Sequence, residues 1–172
     1  MNPETPGQQL FTVGHSNHDA AAFVALLQRH RIDTIVDVRS APFSRYCPQF
    51  NKPALASLLT QAGIRYIYLG DKLGGMPKGE SLYDDAGAPM YERISVAPFF
   101  VDGIHKLIEL LPERRCAMMC AEENPRHCHR HKLVEPSLVA NGIDIRHIRG
   151  DGSIDSSEQV DHPDDRSQLR LF

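Results

Sequence analysis

Apolar residues fall along this chain in short blocks separated by polar and glycine-rich breaks. "LFTVGHS", beginning at Leu10, is apolar up to Gly14 and predicts a short buried strand. "HDAAAFVALLQRH" follows, with Ala20, Phe23, Leu26 and Leu27 on one face of a predicted helix that Ser16 or Asn17 is placed to cap. "IDTIVDVRS" predicts a second strand ending at Asp37 to Arg39. "KPALASLLTQAG" predicts a helix, with Pro53 near its start and Gly63 past its end. "IRYIYLG" predicts a third strand, and residues 70–90, rich in Gly, Pro, Lys and Asp, a long irregular loop. The remaining blocks are a helix ("FFVDGIHKLIELL"), a strand ("RRCAMMCA"), a helix that Pro136 should start or kink ("RHKLVEPSLVANG") and a fifth strand ("IDIRHI").

This β-α-β-α-β-loop-α-β-α-β order predicts a single three-layer α/β domain. Its mostly parallel sheet has about five strands and helices on both faces. Runs such as "TIVDV" are continuous rather than alternating, as expected of strands covered on two sides. Residues 1–8 read as an N-terminal extension and 9–149 as the domain. Residues 150–172, polar, acidic and interrupted by Pro163, read as a loosely held tail.

Composition changes this picture little, but it narrows the partners. A net charge of −3 means that any nucleic-acid contact needs a local basic patch. No apolar run is long enough to cross a bilayer, and "MNPETPGQQL" has no basic or apolar leader segment, so the expectation is a cytoplasmic protein with no membrane partner. There, Cys47, Cys116, Cys120 and Cys128 should be thiols.

Parallel α/β sheets bind ligands beyond the carboxyl ends of their strands. Polar clusters fall at four predicted strand ends: Gly14, His15 and Ser16; Asp37 to Arg45; Gly70 to Gly75; and Cys120 with Glu122. Each also has a structural reading. His15 and Ser16 could serve only a helix cap, Asp37 and Arg39 only an ion pair, and Gly74 and Gly75 only a turn. As a shared cleft, they would be rimmed by Arg39, Arg45, Lys52, Lys72 and Lys78, a positive mouth suited to phosphate. Tyr46 and Phe50, interleaved with these cations, could stack on a base.

The densest chemistry is "CAEENPRHCHRHKL", Cys120 to Leu133. Its C-x7-C-H spacing lacks the paired cysteines usual in structural zinc sites, although Cys120, Cys128 and His129 could still converge on a metal. Cys120 to Arg126 also fits the C-x5-R phosphate loop, but Glu122 and Glu123 would repel an anion and Pro125 removes a donor. The favoured reading divides the loop. Cys120 and Glu122 end a strand, while Cys128, His129 and Arg130 open a helix whose start attracts anions and depresses a thiol pKa. No metal ligand set and no cofactor are assigned.

"TVGHSN", "DVRSAPFSRYCPQFNKPAL", "AGIRYIYLGDKLGG" and "CAEENPRHCHRHKLV" resemble the domain of unknown function 488 (DUF488) family over nearly the whole of residues 9–149. The resemblance implies family positions at Gly14, His15, Ser16, Asp37, Arg39, Pro42, Ser44, Phe50, Leu73, Gly74, Gly75, Cys120, Glu122, Pro125, Cys128, His129 and Arg130. Arg126 and His131 fall outside that pattern, which argues against the phosphate loop and against a metal site on His131. The family implies a fold and a site, not a reaction.

The function expected is that of a protein binding a phosphate-containing ligand, a nucleotide or DNA, and working in DNA maintenance, with hydrolysis of a phosphoester or N-glycosidic bond as the candidate reaction. Asp37, Glu122, Cys120, Cys128 and His15 are the catalytic candidates. Ser16, Arg39, Ser44, Arg45, Phe50, Gly74, Gly75, His129 and Arg130 are the ligand-binding candidates. The alternatives are a non-catalytic nucleotide- or DNA-binding module and a metalloprotein using Cys120, Cys128 and His129. Finally, "QLRLF" resembles the sliding-clamp-binding motif of bacterial replication and repair proteins. Gln168 would supply hydrogen bonds, and Leu169, Leu171 and Phe172 apolar contacts, to a clamp partner.

Overall fold

The computed structural model describes residues 8–162. The strands are β1 (Gln9–Gly14), β2 (Thr34–Asp37), β3 (Arg65–Tyr68), β4 (Cys116–Cys120), β5 (Asp144–Ile148) and β6 (Ile154–Ser156). They form one sheet in the order β3-β2-β4-β1-β5-β6, parallel except for β6, which runs antiparallel to β5.

The principal helices are α1 (Ala20–Arg29), α2 (Lys52–Gln61), α3 (Gly70–Leu73), α4 (Tyr91–Ile94), α5 (Pro98–Leu110), α6 (Glu135–Ala140) and α7 (Ser157–Asp161). The connections β1→β2 and β2→β3 run one way across the sheet, and β3→β4 and β4→β5 run back. Right-handed crossovers therefore put their helices on opposite faces. Phe23, Leu27, Leu55 and Leu59 of α1 and α2 pack on Phe11, Val13, Ile35 and Met119. Phe100, Ile104, Leu107 and Leu138 of α5 and α6 pack on Leu10, Val36, Met118 and Ile145. Central β4 is buried at every position, which is why its sequence does not alternate.

Three expectations need correction. Asp19, not Ser16 or Asn17, caps α1: its Oδ1 accepts from Ala22 N at 2.7 Å. Residues 70–90 are not wholly irregular, since they hold α3 and a 3-10 turn at Glu80–Leu82. Pro136, by contrast, stands in the first turn of α6 and so starts the main part of its helix, as the sequence predicts. Arg130–Val134 is a π-helical turn in which Glu135 N–H reaches back to Arg130 O, which widens the helix just before the proline.

The third concerns residues 150–161, which are not loosely held. Arg149 N donates to Ser153 O at 2.8 Å, closing a turn into β6, and a Ser156–Gln159 capping box starts α7. Arg149 also pairs with Glu123 and Asp155, each at 2.8 Å. The segment is held by polar contacts, so its apolar pattern is faint.

Candidate functional site

The carboxyl ends of β1, β2 and β4 are level. Gly14 is opposite Cys120, and Asp37 opposite Met119. Beyond them the ladder continues through His15 N to Cys120 O and Ser16 N to Ala121 O, both 2.9 Å. Ser16 then takes a left-handed conformation (φ 48°), uncommon for a residue with a Cβ, and turns the chain away from the sheet.

On the α1/α2 side lies a network centred on Asp37, which is fully buried. Arg39 grips its carboxylate through Nε at 2.9 Å and Nη2 at 2.8 Å, and the Tyr66 hydroxyl donates to it at 2.6 Å. Burial, reinforced by that carboxylate, pushes the Tyr66 phenol well above its usual range. Arg39 Nη1 is 3.3 Å from His15 Nε2, and His15 Nδ1 is 2.8 Å from Ser16 O. Since a carbonyl can only accept, Nδ1 carries the proton and Nε2 accepts from Arg39. Burial, with the Arg39 charge, lowers the His15 pKa and keeps the ring neutral.

His15 stacks on Phe50 at 4.5 Å between centroids, and Phe50 is fully buried against Phe23 as well. The expected base-stacking role of Phe50 is thereby corrected: both its neighbours are protein rings. The Asp37–Arg39 pair, left open between ion pair and ligand site, is an ion pair, and the carboxylate is enclosed rather than presented.

On the α5/α6 side, Cys120 Sγ donates to Glu122 Oε2 at 3.1 Å and lies 3.6 Å from His129 Nδ1, while Cys128 Sγ lies 4.0 Å from the same nitrogen. His129 Nε2 is 3.0 Å from Val38 O. The carbonyl requires Nε2–H, so the Nδ1 lone pair faces both thiols. The two thiols share protons unequally. Cys128 is pushed well below the ordinary thiol range by its contact with Cys120 and by His129 and Arg130. Cys120 is pushed up by Cys128, by burial and by the Glu122 charge. Burial opposes ionisation of Glu122, but hydrogen bonds from the Cys120 thiol, its own backbone N–H and Cys128 together outweigh it, and the carboxyl stays below its usual range. Glu122 is solvent-facing, unlike Asp37, and all four cysteines are free thiols.

Arg130 does not face a ligand. It is fully buried, donating from Nη1 to Glu122 O at 2.5 Å, from Nη2 to Glu123 O at 2.9 Å and from Nε to Thr12 Oγ1 at 3.2 Å. Its expected phosphate contact is corrected to a backbone clamp on the loop after β4. That loop crosses the end of β1 so closely that a Cβ on Gly14 would stand 1.8 Å from Glu122 O. Gly74 and Gly75 likewise approach protein rather than ligand: Cβ atoms there would stand 2.2 Å from Ser40 Oγ and 2.9 Å from the His129 Cβ.

The rim also changes. Lys72 pairs with Asp102 at 2.6 Å, and Lys52 Nζ lies 4.0 Å over the Tyr68 ring. Ser44 shapes its own loop, its Oγ accepting from Tyr46 N at 3.1 Å and Cys47 N at 3.2 Å. The loop thereby turns Phe43 (68% exposed) and Tyr46 (89%) outward, with Arg45 exposed between them. Lys78 is exposed beside a cavity of about 470 Å³ that Ser40, Tyr68, Asp71 and Met76 also line.

Sequence reasoning missed Tyr66, Thr12, Glu135 and His147, and set His131 aside. Tyr66 reaches Asp37 only because β3 pairs with β2. Thr12 is a polar residue inside an apolar strand, and His147 falls on the same inward alternation of β5 as Ile145, which are the signals that could have found them. His131 and Glu135 are four apart, a helical-face spacing.

No helix among the described residues is long and apolar enough to cross a membrane. The clamp-like residues Gln168, Leu169, Leu171 and Phe172 lie outside the described residues. No curated protein and no solved structure matches the chain. The family described as "Domain of unknown function DUF488" matches residues 19–136, narrower than the 9–149 that the motifs suggest and starting after His15. That span is more than half of the chain and contains Asp37, Arg39, Cys120, Glu122, Cys128 and His129, so the chain belongs to the DUF488 family.

Proposed function

We propose that this protein is an enzyme of DNA maintenance that binds a nucleotide or a DNA strand at the carboxyl edge of its sheet and hydrolyses a phosphoester or N-glycosidic bond. The observation that carries the reading is the loop bearing Phe43, Arg45 and Tyr46, which exposes two aromatic rings around a guanidinium. It is tied to the candidate reaction centre through Cys47 Sγ, 3.5 Å from Ser16 O. Exposed rings interleaved with a cation suit unpaired bases and their phosphates. Arg45 and Lys78 are the phosphate-binding candidates. Arg39 and His15 are positioning residues, because their bonds run to Asp37 and Ser16.

Glu122 is the acid–base candidate, since it is the carboxylate of the centre that faces solvent. Cys128, depressed below the ordinary thiol range, is the nucleophile candidate. A panel of single-stranded oligonucleotides and nucleotides tests the reading. Turnover should vanish in Glu122→Gln while ligand binding survives. No binding of any phosphate compound would sink it, and binding without turnover would leave a non-catalytic module.

A second reading has its own support in the imidazole tautomer. His129 Nε2–H on Val38 O turns Nδ1 toward Cys120 and Cys128, as an outer hydrogen bond does for a metal-ligating histidine. Tetrahedral zinc, with bonds of about 2.3 Å to sulfur and about 2.0 Å to nitrogen, sets sulfur–nitrogen separations of about 3.5 Å. The separations here are 3.6 and 4.0 Å. Elemental analysis of protein purified without chelators decides it. Stoichiometric metal lost in Cys128→Ser supports this reading, and its absence rejects it.

A further inference from the structure

A second polar cluster is buried under α6. His131 Nδ1 lies 2.6 Å from Glu135 Oε2, and His147 Nε2 lies 3.1 Å from the same oxygen. The other nitrogen of each ring is held from outside: His131 Nε2 by Asp161 Oδ1 at 2.8 Å, and His147 Nδ1 by Thr12 Oγ1 at 2.7 Å. His147 is fully buried, and among the described residues its Nε2 has no aligned hydrogen-bond partner, its approach to Glu135 being a charge contact only. A buried polar atom left without a partner is costly and calls for an explanation.

We propose that His131, Glu135 and His147 bind a divalent d-block cation such as zinc. The three ligand atoms lie within 4.8 Å of one another, close enough for one ion to replace the unsatisfied contact. Two imidazoles and a carboxylate suit zinc and its neighbours, whereas magnesium and calcium prefer oxygen alone. Asp161 and Thr12 act as the outer partners that fix ring orientation in such sites. The fold supplies the convergence. The π-helical turn at Arg130–Val134 leads into α6 with His131 and Glu135 facing β5, where His147 occupies an inward position between Ile145 and the strand end.

Three protein ligands leave a position open, as in catalytic rather than structural zinc sites. Here the opening is a cavity of about 860 Å³ lined by His131, Glu135, Asp161, Arg126, His127 and Lys132 among others. Cations around an open metal position favour an anionic co-ligand. The site is separate from the Cys120–Cys128 centre in its ligands, and it stands whether or not nucleic acid binds there. A protonated His131 bridging Glu135 and Asp161 would explain those two contacts, but it would leave His147 Nε2 unsatisfied.

Full-length protein stripped by a chelator is titrated with Zn²⁺ and with Co²⁺. The expected result is one equivalent of Co²⁺ with visible d–d bands and no thiolate charge-transfer band. His131→Ala and Glu135→Gln should each abolish it. Asp161→Asn, a change at the surface that should leave the circular dichroism intact, should weaken binding by roughly 10- to 100-fold. Failure to bind either ion overturns the proposal. So does binding that shows only thiolate bands and ignores Asp161→Asn, which would assign the metal to the cysteines.

Discussion

Arg130 donates from Nη1 to the backbone carbonyl of Glu122 at 2.5 Å, while the carboxylate of that same Glu122 accepts from the Cys120 thiol at 3.1 Å. The buried guanidinium thus fixes the main chain from which the reactive carboxylate projects. Replacing Arg130 by Met leaves two carbonyls without donors and should cost about 2–4 kcal/mol. Lys should rescue little, because one ammonium cannot span both carbonyls and Thr12. Urea unfolding measures the loss. A stable Arg130→Met protein with weakened phosphate binding would instead restore Arg130 to the ligand.

Phe50 and Tyr46 should separate packing from binding. Phe50→Ala removes a fully buried ring and should cost about 3–5 kcal/mol of stability. Tyr46→Ala, at an exposed position, should leave the unfolding midpoint unchanged. It should weaken single-stranded oligonucleotide binding by about 1–3 kcal/mol if the ring stacks on a base. Fluorescence anisotropy of a labelled oligonucleotide reads the second effect, and an unchanged affinity would remove Tyr46 from the interface.

Gly14→Ala should be disruptive without touching any side chain of the site. A Cβ there would meet the Glu122 carbonyl oxygen and carbon. Both are backbone atoms, so the loop after β4 would have to move. A cost of about 1–3 kcal/mol is expected, with loss of whatever activity Glu122 supports. Thermal unfolding checks the first part and turnover the second.

Glu123 gives the fold a pH dependence of known sign. The hydrogen-bonded Arg149 and the Gly150 N–H hold its carboxyl at about 2, against an ordinary glutamate value of about 4.3. A depressed folded pKa stabilises above the unfolded value, and that contribution drains away as pH falls toward the folded one. The wild type should therefore lose stability between roughly pH 4.3 and 2. Glu123→Gln should be less stable at neutral pH and lose less across that interval. Parallel pH profiles of the two proteins would contradict the assignment.

The terminal "QLRLF" yields a prediction independent of the domain. Full-length protein should bind a bacterial sliding clamp, and the isolated pentapeptide should bind with micromolar affinity, since a short segment must order on binding. Deleting residues 168–172 should abolish clamp binding without shifting the domain's unfolding midpoint. A deletion that destabilises the domain would make Leu171 and Phe172 packing residues.

The sequence by itself determined the parallel α/β order, because buried central strands such as "CAMMC" must be continuously apolar and their helices amphipathic. It also determined that His15, Asp37, Cys120 and Glu122 would share one edge, since strand ends in a parallel sheet point the same way. Its local pattern did not reveal β6 and α7, whose stability comes from Arg149 reaching Glu123 and Asp155 across the fold. Nor could it separate presented from enclosed charges. Arg39, Arg130 and Arg45 are the same side chain in sequence. Only the tertiary structure gives Arg39 to Asp37, gives Arg130 to two backbone carbonyls and leaves Arg45 at the surface. The meeting of His131 and Glu135 with His147 was likewise decided in three dimensions. A helical spacing supplies two of the groups, but the third arrives from β5 through a strand pairing that no local pattern encodes.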